Sequence, residues 1–271
     1  MPTQEMPLPT FTPKLGRLPR GFDKRIPLMH DLTLKAGVAP KAPPAALDYT
    51  NGMPANLGVM LNNTLGDCTC AAFYHALQVW SFNCGDPIDT EPDSDVELLY
   101  EKACGYNPAQ GGEGPGGNEQ KVLTYILKKG APAGPQGTPV KKIDAFVEVA
   151  VNNLNNIKST IADCGVCYIG FNVPQYIVPV GKPPLAVWDV EPNADNTIVG
   201  GHAVVLAGYN AQGARVISWG QYYTMTWAFF EKFVDEAYAI ADPEWITTKG
   251  TTPGGLTLAQ LEAAMKQLKE S

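Results

Sequence analysis

The chain has 271 residues, 45% of them apolar and 17% charged, with a formal net charge of −7. That balance fits a globular chain with a sizeable core, as one large domain or two lobes. The acidic balance and the lack of any lysine or arginine run argue against a nucleic-acid partner, and no apolar run reaches the length of a membrane span. The first ten residues lack the charged and apolar regions of a secretory signal, so a cytoplasmic or particle-associated location is expected.

Residues 1–46 are rich in proline and punctuated by Lys14, Arg17, Arg20, Lys24 and Arg25. Proline disfavours both helix and strand, so this stretch is expected to be an extended arm. Leu15, Phe22, Ile26, Leu28 and Leu32 are its candidate anchors. It could serve as a propeptide-like segment or dock on a partner, including a second copy of the chain.

A loop around Asn62-Asn63-Thr64 then leads into Leu65-Gly66-Asp67-Cys68, where an alanine-rich helix begins and runs to about Phe82. Unpaired N–H groups and the dipole at a helix start favour a thiolate, which makes Cys68 a candidate nucleophile. Asp67 works against this, because a neighbouring carboxylate raises a thiol pKa. Further helices are expected from Asp93 to about Ala103 and from Asn118 to Lys128. The glycine-rich segment from Asn107 to Gly117 must be a surface loop between them. Ala150 to Ala162 reads as helical. Val166–Val173, Ala203–Ala207, Arg215–Trp219 and Ala237–Ile240 read as strands, with Ala228–Val234 a short helix or a strand edge. The segment from Gln221 to Trp227 offers an aromatic contact surface, and Thr257–Lys269 an amphipathic helix. Helices first and strands later make this an α+β chain.

A cysteine nucleophile needs a base, and the chain has three histidines. His75 lies seven residues after Cys68 on the same helix, about 10 Å away at 1.5 Å per residue. His30 sits in the arm without supporting context. His202 follows two glycines and opens an apolar strand, where its side chain can face a cleft. The six cysteines do not suggest a disulfide framework in a chain without a secretory signal. Cys68-x-Cys70 with Cys164-x-x-Cys167 is a weak zinc pattern in apolar surroundings, so no metal or cofactor is called for.

Gly66-Asp67-Cys68-Thr69 before a helix, Gly201-His202-Ala203-Val204 with Gly208-Tyr209, and Ser218-Trp219-Gly220 together resemble the papain-like cysteine peptidases, in their compact bacterial and phage form. The resemblance covers roughly residues 45–245. It implies a helical lobe (about 60–135) followed by an antiparallel, barrel-like β-sheet lobe (about 140–245), within a domain at 47–250 and ahead of a C-terminal helix at 251–271. It implies a thiol hydrolase of peptide or amide bonds, with Cys68 as nucleophile, His202 as base, Asn62 as oxyanion donor and Trp219 shielding the contact that orients the histidine. Cys70 is the alternative nucleophile. Three positions depart from the pattern: Ile217 stands where the family has the orienting asparagine, Asp67 sits beside the cysteine, and Asn62 replaces the family's glutamine. Alternation puts Ser218 on the other face, so that it can support His202 only if the strand bulges. The alternative reading is a catalytically impaired relative serving as a binding or structural component.

Overall fold

The computed structural model describes residues 12–271. The first eleven residues of the arm lie outside the described residues.

Eight helices and ten strands follow in chain order: α1 (Met29–Ala36), β1 (Leu47–Asp48), α2 (Cys68–Cys84), α3 (Asp93–Cys104), α4 (Glu119–Lys129), β2 (Ala131–Pro132), β3 (Val140–Lys141), β4 (Ala145–Glu148), α5 (Leu154–Cys164), β5 (Cys167–Pro174), β6 (Val187–Trp188), β7 (Ile198–Tyr209), β8 (Gly213–Ser218), β9 (Gln221–Thr226), α6 (Trp227–Phe233), β10 (Val234–Ala241), α7 (Pro243–Lys249) and α8 (Leu258–Glu270). The helices and strands expected from the sequence are present, with ends shifted by a few residues. The main shift is that β7 extends five residues upstream of Ala203, through His202. The mixed helix-and-sheet class is as the sequence implies.

The main sheet runs β4-β10-β5-β7-β8-β9-β6, with β1 paired to β7. Its pairs are antiparallel except β6 with β9. Every residue of helix α2 from Cys68 to Ser81 is buried, and only its last turn is partly exposed. A helix apolar on every side belongs inside a core. Two bonds fix it to the sheet lobe: Tyr168 Oη donates to the Thr69 carbonyl (2.8 Å), and Trp80 Nε1 donates to the Cys164 carbonyl (2.7 Å). The first turn of α2 is therefore held against β5 and β7, which sets the position of Cys68. Helix α4 starts beside it, with Asn118 accepting from Lys121 N–H as the N-cap.

Two readings of the arm need correction. It contains a helix, α1, which its prolines had argued against; the eight residues Met29–Ala36 include no proline, and Gly37 closes them in a left-handed conformation. Of the expected anchors, Ile26 is buried, whereas Phe22 is 78% exposed and Leu28 is exposed. Leu28 acts through its backbone: it forms a parallel bridge with Glu148, and Glu148 N–H donates to the Pro27 carbonyl (3.0 Å). This covers the open edge of β4, where unpaired strand groups would otherwise face outward. No helix of the described residues is long and apolar enough to cross a membrane.

Candidate functional site

Cys68 begins α2 and His202 lies near the start of β7, and the fold brings the two together. The backbone of Ala203, the residue after His202, lies near the Cys68 sulfur and favours its thiolate. Both side chains are 1% exposed. Cys70, two residues along the same helix, faces Cys104 and not the His202 strand, and is fully buried. His75 is buried against Gln78 Oε1 (Nδ1, 2.9 Å), and His30 is exposed in α1.

The imidazole of His202 is fixed from two sides. Its Nε2 lies 2.7 Å from Ser218 Oγ, and Trp219 stacks on its ring, with centroids 4.3 Å apart and planes 14° apart. Nδ1 has no hydrogen-bond partner among the described residues although it is buried. With the proton on Nε2, donated to Ser218 Oγ, Nδ1 keeps the lone pair that a base requires.

Ser218 therefore stands on the face of His202, contrary to the alternation argument. The β7–β8 register explains it. Val205 is opposite Ile217, so Ser218 is opposite Val204, which shares a face with His202. Ile217 faces away and is fully buried. The two-residue turn after Ser218 completes the arrangement. Trp219 has φ 47° and Gly220 φ 73°, the left-handed pair that a tight hairpin requires. A tryptophan in that region costs on the order of 1–2 kcal/mol, offset by its packing on His202.

Asn62 is buried, and its amide nitrogen donates to Leu65 O (3.2 Å) and Asp67 Oδ1 (3.0 Å). Both of its N–H groups are thus used within the loop that leads into α2, so stabilising an oxyanion requires one of these bonds to exchange. Asp67 is buried too, and desolvation holds its carboxyl well above the usual carboxylate range despite the bond from Asn62. Its charge next to the sulfur is correspondingly suppressed.

The arm runs through this site. Lys14 N–H donates to Asn62 O (3.1 Å), and Lys14 O accepts from Trp219 Nε1 (3.3 Å). The Gly16 backbone lies near the Cys68 sulfur and favours its thiolate. Gly117 N–H donates to Gly16 O (2.8 Å), Arg17 N–H to Gly201 O (3.0 Å) and Leu18 N–H to Gly117 O (2.9 Å). Residues 14–18 thereby form an extended segment that bridges the loop before α4 and β7 through isolated β-bridges at Arg17. Gly16 has no alternative at its position, because a Cβ there would lie 1.8 Å from the Gly66 carbonyl oxygen.

The arm's coverage sets the electrostatics. Burial pushes the Cys68 thiol up to about 12, more than the backbone of Ala203 and Gly16 pulls it down. Burial pushes His202 down to about 3, with the charges of His75 and Arg17 adding. The helix start alone suggested a thiolate. Instead, the covered site holds a neutral thiol beside a neutral imidazole, because desolvation outweighs the helix-end effect.

Sequence reasoning missed a second feature. Arg17, whose side chain is 1% exposed, enters a pocket formed by Glu119 at the start of α4 and by Asp235 and Glu236 at the start of β10. These residues are far apart in the chain, and only the basic character of the arm hinted at an acidic counterpart.

No family model matches the chain, and a search of curated proteins finds no match. Solved structures do match. Xylellain, a cysteine protease from Xylella fastidiosa, aligns with a TM-score of 0.63 at 17% identity, over 88% of this chain and 99% of that one. Procathepsin B S9 from Trypanosoma congolense aligns at 0.53 and 13%, over 84% and 86%. Digestive procathepsin L 3 of Tenebrio molitor larval midgut aligns at 0.52 and 11%, over 86% and 76%. The chain has the papain-like fold.

Proposed function

We propose that this protein is a cysteine peptidase, with Cys68 as nucleophile and His202 as general base, kept latent by its own residues 14–18. One observation carries the reading: His202 is tethered by Ser218 through Nε2 and stacked under Trp219, while Nδ1 stays buried and unpartnered among the described residues. His75 Nε2 is likewise buried and unpartnered, so the free nitrogen alone does not mark a base; the Ser218 tether and the Trp219 stack set His202 apart, and its free Nδ1 meets what a thiol-proton acceptor needs.

Withdrawal of the arm lets water reach both groups. The thiol pKa then falls, the imidazole pKa rises, and transfer of the Cys68 proton to Nδ1 becomes favourable. The sulfur attacks a peptide carbonyl, the Cys68 backbone N–H and one further donor hold the oxyanion, and His202 returns the proton to the leaving amine. Water then hydrolyses the thioester. Ser218 takes the orienting role that Ile217 cannot. Asn62 supplies the second oxyanion bond if it releases Leu65 or Asp67. Trp219 shields the His202–Ser218 contact from water and marks where the arm carbonyl of Lys14 departs.

The test is peptide hydrolysis by the full chain carrying Gly16→Ala, a substitution that displaces the arm by the close contact described above. Turnover that disappears when Cys68→Ala is added supports the reading. A folded, arm-displaced protein that cleaves no member of a mixed peptide pool contradicts it and leaves a binding role for the cleft.

A further inference from the structure

The pocket around Arg17 is built in more detail than a latch requires. Arg17 Nε donates to Glu236 Oε1 (2.7 Å), its terminal Nη2 lies 2.5 Å from the same oxygen and bonds Asp235 Oδ1, and Glu119 Oε1 is 3.6 Å from Nε. The outer oxygens of two of these carboxylates are tied back: Tyr238 Oη donates to Glu236 Oε2 (2.8 Å), and Asn172 Nδ2 donates to Asp235 Oδ2 (3.0 Å). Their inner oxygens therefore face the guanidinium. Glu119 is fully buried, and neither of its oxygens has a hydrogen-bond partner among the described residues. The floor is Gly170, where a Cβ would lie 2.2 Å from Arg17 Nε and 2.4 Å from Glu119 Oε1. The strand therefore lacks a side chain where the guanidinium needs the space.

We infer that this pocket is a binding site for the arginine side chain of a peptide ligand, occupied by Arg17 while the arm is closed and by an incoming arginine once it opens. The inference rests on the peptidase reading only for what happens to that peptide. Arg17 is one residue from Gly16, which lies near the Cys68 sulfur, so the favoured substrate carries arginine one residue from the residue at the thiol. Charge supports the assignment: with the arm gone, the buried Glu236 and the half-buried Asp235 lose the guanidinium they bond, beside Glu119, and adjacent carboxyl groups must then recruit a cation or take up protons. Geometry selects arginine over lysine, because both Nε and a terminal nitrogen are engaged and an ammonium group offers no donor at the Nε position.

The test uses the full chain with Arg17→Ala, which empties the pocket. Ethylguanidinium is expected to raise the melting temperature of this variant by about 3 °C or more beyond an equal concentration of n-butylammonium, and to leave the wild type at its salt control. Equal shifts with both cations, or in both proteins, overturn the inference. If Arg17→Ala does not fold, Arg17→Gln takes its place, and Glu236→Gln in the same background should abolish the guanidinium effect. Fluorogenic peptides that differ only in arginine, lysine or leucine at the pocket position give the second readout, with kcat/KM for arginine more than about tenfold higher. Turnover without that preference removes the arginine pocket and leaves the peptidase reading intact. Guanidinium rescue with no turnover of any peptide keeps the pocket and removes the peptidase reading.

Discussion

The two ends of the cleft respond to the same covering segment in opposite ways. At the Cys68 end, burial strips charge: the thiol is held up to about 12, the imidazole down to about 3, and neither has a counter-ion. At the Arg17 end an ion pair persists, with the guanidinium bonded to Asp235 and Glu236, while burial holds the neighbouring Glu119 carboxyl well above its usual range. The two ends are adjacent. Gly170 of β5 is paired with Ala203, next to His202, and with Glu236, which bonds Arg17. The difference teaches that one extended segment of arm can desolvate a thiol and an imidazole where no charge is offered, and gain its hold by ion pairing one residue away. Latency and arm affinity are therefore separable by mutation.

The largest effect expected is at the thiol end. In an arm-displaced background, His202→Ala should lower kcat/KM by on the order of 10³, the usual scale for loss of a general base. Ser218→Ala should cost less, about ten- to a hundredfold, because the base remains and only its tautomer and orientation are freed. Ile217→Ala should change folding stability and not the shape of the pH–rate profile, since its side chain faces away. A profile that moves with Ile217 and not with Ser218 would reverse the assignment of the orienting residue.

At the acidic end, Glu236→Gln should loosen the arm without touching the thiol chemistry. Limited proteolysis between residues 12 and 25 should quicken by about tenfold, while the activity of the arm-displaced protein on peptides lacking arginine stays unchanged.

A further effect is in pH dependence. The imidazole of His202 sits at about 3 when covered, against an ordinary value of about 6.5. The open or unfolded chain therefore binds the extra proton between these values, so His202 contributes to stability above about pH 6.5 and loses that contribution as the pH falls toward 3. Each pH unit in that window removes at most about 1.4 kcal/mol. Asp67 and Glu119, both raised by burial, act in the opposite sense, so the comparison is with His202→Gln, which shares them. The stability advantage of the wild type over His202→Gln should shrink between about pH 7 and pH 4. A constant difference would mean that His202 is not held neutral.

What was legible in the sequence was local. The apolar run after Cys68, the N-cap at Asn118 and the strand through His202 can all be read from neighbouring residues, and they place the thiol and its base. Properties that depend on register or on long-range contact were not legible. The face of Ser218 follows from Val205 lying opposite Ile217, and no spacing within β8 alone reveals that. The arm's prolines predict an extended chain but not its path, which depends on Gly117 and Gly201, about 100 and 184 residues downstream. The acidic pocket joins residues 17, 119, 235 and 236, so no local spacing reveals it. The thiol pKa was misjudged for the same reason: the helix start is local, whereas the segment that desolvates it comes from the arm.

The central claim is that Cys68 is a competent nucleophile silenced by Gly16 and its neighbours. Iodoacetamide labelling followed by peptide mass mapping, on the wild type and on Gly16→Ala side by side at neutral pH, tests it most directly. The account predicts that Cys68 is unreactive in the wild type and is modified ahead of the other five cysteines in Gly16→Ala, with that selectivity lost when His202→Ala is added. A folded Gly16→Ala protein whose arm is open to protease, yet whose Cys68 reacts no faster than Cys84 or Cys104, would contradict it.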